Sequence, residues 1–286
     1  MSLKPARFLD PKSDIVFKKI FGGHPDLIKS LLNAILPLPE DQRIETLEYL
    51  TSEQAPTIPT MKNTIVDVKC TDQYGRVFIV EMQMQWSENF SKRLLFGTSK
   101  AFVQQLNKGE DYSSLCPVYG VGIINDVFDK QSEDWFHHYR TINVQKPERV
   151  LEGLELVFIE LPKFKPQSWI QRKMGVLWLR FLKEIDETTC DIDAEFLSQP
   201  ELSKALELSQ ESAYTKAELE SYDKYWDAIS TQKTYFTDSF NKGIEKGIEK
   251  GIEKVAKNLL SQGVELEIIS QATGLSFEQI QRISKS

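Results

Sequence analysis

Apolar residues recur at 16, 17, 20 and 21 in Asp14-Ile-Val-Phe-Lys-Lys-Ile-Phe21, the spacing of one helix face. Ser13 stands at the N-cap position with Pro11 upstream, and Gly22-Gly23 interrupts the pattern. A second helix is expected from about Pro25 through Ile35, ending before Pro37, and residues 45–50 read as a short strand. Two β-branched segments, 65–70 and 77–85, flank the polar Thr71-Asp-Gln-Tyr-Gly-Arg76, which is the mark of a hairpin. A helical pattern then runs from about Asn89 to Leu106. Val118–Ile124 is short, wholly apolar and bounded by Pro117 and Asn125, as a fully buried strand should be. Residues 139–144 and 154–160 alternate well enough for two more strands.

After Lys163-Phe-Lys-Pro166 the chain turns helical and charged, most clearly in Gly175–Leu182. The order of elements predicts an α/β protein. Its expected parts are a core over residues 1–165, a helical extension over 166–240, and a small helical tail over 241–286. Residues 243–254 spell Gly-Ile-Glu-Lys three times. A period of four drifts about 40° per repeat on a helix, which lines up Ile244, Ile248 and Ile252. Each Gly costs about 1 kcal/mol relative to Ala. Two readings stand: a self-association or spacer helix in which Gly admits a partner, or duplicated coding sequence giving a tolerated, solvated helix. Residues 255–260, 265–271 and 277–283 make three short amphipathic stretches, with Gly274 as a turn and Ser276 as an N-cap. They resemble a helix-turn-helix. The would-be recognition helix carries only one Glu and one Arg, which points rather to packing or dimerisation.

Composition sets bounds. The chain has 286 residues, 41% hydrophobic and 27% charged, the balance of a soluble globular protein. No apolar run reaches the length of a membrane span and the N-terminal stretch lacks a signal-peptide core, so no membrane partner is expected. Cys70, Cys116 and Cys190 have no paired spacing, which predicts a reduced, cytoplasmic protein. His24, His137 and His138 are too scattered for a histidine zinc site. A net charge of −7 argues against strong nonspecific nucleic-acid binding but leaves room for a local basic strip.

The chemistry centres on the hairpin. With Tyr74 mid-loop, Asp67 falls opposite Glu81, and like charges in that arrangement destabilise a sheet unless a cation joins them. The plain alternative is two solvated acids on an exposed hairpin face. A carboxylate pair with open positions describes a Mg²⁺ site for phosphoryl chemistry, since Mg²⁺ keeps several waters and borrows phosphate oxygens. Lys69 on the same face, or Gln83 two residues past Glu81, would border the attacking water.

An acid followed at a distance by Glu-x-Lys resembles the PD-(D/E)xK nuclease signature, with Gln83 at the Lys position. The likeness extends further. Pro11-Lys-Ser-Asp14-Ile-Val-Phe17-Lys18-Lys-Ile-Phe21-Gly22, the Asp67–Gly75 stretch, Val80-Glu81-Met-Gln83-Met, Ile159-Glu-Leu-Pro-Lys-Phe164 and the Gly-x-Glu-Lys tail resemble the Rpn-type recombination-promoting nucleases, also described as transposases. The resemblance covers most of residues 8–165 and recurs in the tail. It implies a restriction-endonuclease-like mixed central sheet flanked by helices, and a Mg²⁺-dependent (or Mn²⁺-dependent) DNA endonuclease associated with recombination. It further implies Asp67 and Glu81 as metal ligands, Asp14 as an accessory acid holding a metal-bound water or second ion, and Gln83 orienting water or scissile phosphate. Gln83 lacks the positive charge a Lys would bring to the transition state, so two expectations stand: slow turnover, or substitution by Lys69 or Lys18. Lys92-Arg93 reads equally as a phosphate contact and as helix surface. The rival expectation is a weakly active or inactive nuclease-fold protein that binds DNA or assembles as a homo-oligomer through its tail.

Overall fold

A computed structural model of the chain describes residues 7–51, 53–54, 64–65, 67–169 and 171–284. The chain divides into two compact units, Met1–Tyr225 and Trp226–Ser286.

In the first unit, α1 (Asp14–Phe17) widens into a π-turn, Lys18–Gly22, before α2 (Pro25–Ile35). Ser13 does not cap α1 through its side chain; its Oγ donates to Asp10 O at 2.9 Å. The strands are β1 (Leu47–Tyr49), β2 (Glu53–Gln54), β3 (Thr64–Ile65), β4 (Val68–Asp72) and β5 (Val77–Gln83). Helix α3 (Glu88–Val103) follows, then β6 (Val118–Ile124), β7 (Phe136–Asn143) and β8 (Lys146–Glu160). Six of the strands form one sheet in the order β1-β4-β5-β6-β8-β7, while β2 and β3 pair separately. β5, β6 and β8 are parallel and the remaining pairs antiparallel. The α/β class that the order of elements predicts is found, in the form of the mixed sheet flanked by helices that the resemblance implies. Every residue of β6 is buried, which explains its unbroken apolar run.

Helix α3 covers one face of the sheet through Phe90, Leu94 and Ala101, packed on Val77, Ile79 and Phe158. Gly120 of β6 makes the fit close: a Cβ there would meet Thr98 Oγ1 at 2.5 Å and Leu156 Cδ2 at 2.8 Å. On the other side, Phe17, Phe21 and the buried Trp178 stack in a tilted aromatic row. Trp178 belongs to α4 (Lys173–Glu184), and its indole donates to Ser30 Oγ of α2 at 3.0 Å. The Tyr49 hydroxyl of β1 donates to Phe21 O at 2.6 Å, tying the sheet edge to the π-turn. Short helices α5 (Ala194–Leu197) and α6 (Pro200–Ser209) complete this layer.

Helix α7 runs from Lys216 to Ser261 and takes in the Gly-Ile-Glu-Lys repeats, so the stretch 255–260 is the end of one long helix and not a separate element. Ala256 packs with Ile269 of α8 (Leu266–Thr273) and Ile280 of α9 (Phe277–Ser284). Gly274 ends α8 with φ +73°, and Ser276 and Gln279 cap α9 reciprocally at 2.9 and 3.3 Å.

Candidate active site

The β4–β5 register sets the centre of the site. Val68 pairs with Val80, and pairing continues in step to Thr71 with Val77. One step beyond β4, Asp67 comes level with Glu81, and Met82 N donates to Asp67 Oδ2 at 2.8 Å. Neither acid is solvated: Glu81 is 3% exposed, and the Asp67 side chain 19%. Val66, within the strand expected over residues 65–70, lies outside the described residues.

Two cations sit at these acids. Arg93 of α3 reaches Glu81 Oε2 with Nη2 at 2.9 Å and Nε at 3.3 Å, and the same Nη2 donates to Gln83 Oε1 at 3.0 Å. Lys18, first residue of the π-turn, bonds Asp14 Oδ1 at 2.7 Å and lies 3.7 Å from Asp67 Oδ1. The structure therefore gathers Asp14, Asp67, Glu81 and Gln83, with Asp14 joined to Asp67 through Lys18. Lys69 pairs with Ile79, one pleat further down the same face. It forms no ion pair with Asp67 or Glu81 among the described residues, and burial followed by the nearby Lys100 lowers its pKa.

Burial is the main perturbation of both acids. It pushes the Asp67 carboxyl up to about 6, against the opposing Met82 N–H and Lys18, with Glu81 and Asp14 adding to the rise. It also raises Glu81, opposed chiefly by Arg93. One oxygen, Glu81 Oε1, is buried and has no hydrogen-bond partner among the described residues. Leaving such an atom unmet is costly. Hard carboxylate oxygens, one of them open, suit a divalent cation such as Mg²⁺ or Mn²⁺. Among the described residues, no three His, Cys, Asp or Glu side chains are gathered closely enough to hold one ion by themselves. An ion here would need Asp67 and Glu81 with waters or substrate oxygens.

Arg93 is the residue that sequence reasoning left ambiguous. Its signal was its place on α3: three after the buried Phe90 and one before the buried Leu94, it must fall at the rim of the packed face. His137 and His138 bond to Glu160 and Glu155 on the neighbouring strand, at 2.8 and 2.6 Å.

A mixed sheet carrying an acid pair across a hairpin is the frame of a nuclease-type fold. A family model described as PD-(D/E)XK nuclease family transposase matches residues 11–237, and the chain belongs to that family. The match takes in Asp14, Lys18, Asp67, Glu81, Gln83 and Arg93. A second model, described as the C-terminal HTH domain of the Rpn/YhgA-like nuclease family, matches residues 250–285 and so includes α8 and α9. No curated protein and no solved structure matches the chain. The protein is thus a nuclease-family member whose two matched regions both carry descriptions of DNA-handling proteins. No helix among the described residues is long and apolar enough to cross a membrane.

Proposed function

We propose that this protein is a Mg²⁺- or Mn²⁺-dependent DNA endonuclease that hydrolyses phosphodiester bonds by water attack, in the service of DNA recombination. Asp67 and Glu81 hold the metal ion, and Asp14 acts as the accessory acid. Gln83 orients the attacking water or the scissile phosphate, and Lys69 contributes positive potential from further along the strand. When bound, the ion supplies Lewis-acid activation and lowers the pKa of its water. The observation that supports the reading best is the buried Glu81 Oε1, without a partner among the described residues, beside an acid whose burial pushes its pKa up to about 6. Structural acids are ordinarily saturated with donors, whereas perturbed, open ones cluster at working sites.

The domain plan that goes with this reading is a nuclease core over residues 1–165, a helical extension over 166–240, and a repeat-and-tail segment over 241–286 through which copies associate. A cytoplasmic location fits its three free cysteines.

One observation favours a second reading, a weakly active or inactive nuclease-fold protein that binds DNA or assembles. Gln83 is uncharged, and both acids are already engaged by Lys18 and Arg93. Supercoiled plasmid incubated with the wild type and with Asp67→Ala, in Mg²⁺, Mn²⁺ or EDTA, separates the two. Nicking that needs the metal and vanishes in Asp67→Ala is expected. Nicking that survives Asp67→Ala rejects the site, and no nicking in any condition favours the second reading.

A further inference from the structure

The position at which the Glu-x-Lys pattern has a cation holds Gln83, yet a cation stands at the tip of that side chain. Arg93 Nη2 lies 3.0 Å from Gln83 Oε1 and 2.9 Å from Glu81 Oε2. The two partners differ in freedom. The Glu81 side chain is 4% exposed, whereas that of Arg93 is 49% exposed, so the guanidinium has open space on one side. Its Cζ stands 5.1 Å from the ring centroid of the buried Phe90, which steadies the stem where it leaves α3. Arg93 also engages one oxygen of Glu81, and the other has no partner among the described residues.

A divalent cation on the open oxygen of Glu81 would weaken the hold of the guanidinium on the other, because the two positive charges compete for one carboxylate. The guanidinium need not travel far to be useful. Phosphate oxygens drawn to the site would lie beside Gln83, and the planar fork of Arg bonds phosphate as well as carboxylate. We infer that Arg93 is a catalytic residue with two stations. It neutralises Glu81 in the metal-free protein, and with metal and DNA bound it turns to the scissile phosphate, supplying the charge that Gln83 lacks. This inference rests on the endonuclease reading of the same site. The part played by Arg93 is electrostatic; it remains charged and transfers no proton.

The test uses the full chain as wild type, Arg93→Gln, Arg93→Lys and the double variant Arg93→Gln/Gln83→Lys, with folding checked by circular dichroism. Mn²⁺ titration calorimetry at pH 8 without DNA comes first. Removing the competing cation should tighten Mn²⁺ binding in Arg93→Gln by roughly five- to tenfold, the scale of one charge-assisted bond discounted for exposure. Duplex DNA affinity measured in Ca²⁺ should fall in the same variant. Its plasmid nicking in Mg²⁺ should drop by about 10²- to 10³-fold, the usual loss of one transition-state donor. Gln83→Lys in the double variant should recover much of that loss, and Arg93→Lys should lie between wild type and Arg93→Gln.

Opposite movement of metal and DNA affinity is the result expected, because a residue that merely props Glu81 in place would weaken both. Unchanged or weakened Mn²⁺ binding in Arg93→Gln overturns the inference, as does failure of the double variant to recover nicking. If instead the wild type takes up no Mn²⁺, or Asp67→Ala takes up as much as wild type, the endonuclease reading falls, and this inference with it.

Discussion

Asp67 carries a conflict between folding and chemistry. Its carboxylate is largely withdrawn from water, bound by one backbone N–H and approached by one lysine. With its pKa raised from 3.8 to about 6, the folded protein holds this proton more tightly than the unfolded chain does. The stabilisation linked to that proton is therefore complete below about pH 4 and lost as pH rises through about 6. The gap corresponds to at most roughly 3 kcal/mol. Asp67→Asn keeps an oxygen for Met82 N and carries no charge. It should be more stable than wild type above pH 6 in EDTA, with the advantage disappearing near pH 4. Urea denaturation at both pH values measures this, and an Asn variant less stable at pH 7.5 would make Asp67 a structural acid. Glu81 follows the same logic with a stronger partner in Arg93, and so meets less of the cost alone.

At the scale of elements, the site depends on how α3 lies on the sheet. Gly120 permits the approach, and the Thr98 hydroxyl beneath it is already committed to Leu94 O at 2.7 Å. Gly120→Ala would place a methyl inside the contact distance of Thr98 and Leu156. Overpacking of this kind costs about 1–3 kcal/mol, and relief comes by lifting α3, which carries Arg93 away from Glu81. The expected outcome is a lower urea midpoint together with tighter Mn²⁺ binding, the direction also expected of Arg93→Gln. Loss of stability with unchanged Mn²⁺ affinity would show that α3 can yield without moving Arg93. The π-turn has a comparable part on the opposite side. It starts at Lys18, the residue that links Asp14 to Asp67, and such turns recur at functional sites.

Across the whole molecule, the two compact units have cores of very different size. The tail holds Ala256, Ile269 and Ile280 as its fully buried cluster. Truncating a buried Ile costs about 2–5 kcal/mol, more than so small a core can absorb. Ile269→Ala should abolish hydrogen-exchange protection in α8 and α9 while leaving Mn²⁺ affinity at Asp67 and Glu81 unchanged. A parallel loss of Mn²⁺ affinity would show that the two units are coupled energetically. The acidic balance of the chain, −7 overall, also bears on DNA binding at this scale. Few net phosphate neutralisations give a shallow dependence on salt, so affinity should respond more to divalent metal than to NaCl between 50 and 200 mM.

Much of this protein follows from local rules that act within a few residues. Apolar spacing marked α2 as Pro25–Ile35 and β6 as Val118–Ile124, both as observed, because burial on one helix stripe or on both faces of a strand writes itself into residue order. The turn around Tyr74 likewise set the hairpin register, and with it the meeting of Asp67 and Glu81. The tertiary structure decided what local rules do not reach. Whether those acids face water or the interior depends on α3 closing over β5 and β6, and that closure buried Glu81. Arg93 and Lys18 come to the acids from elements 12 and 49 positions away in the chain. The Arg93 contact depends on the azimuth at which α3 docks, and the Lys18 contact on the π-turn that Lys18 opens. Residue order names the acids; packing assigns their cations, and with them the charge that Gln83 does not carry.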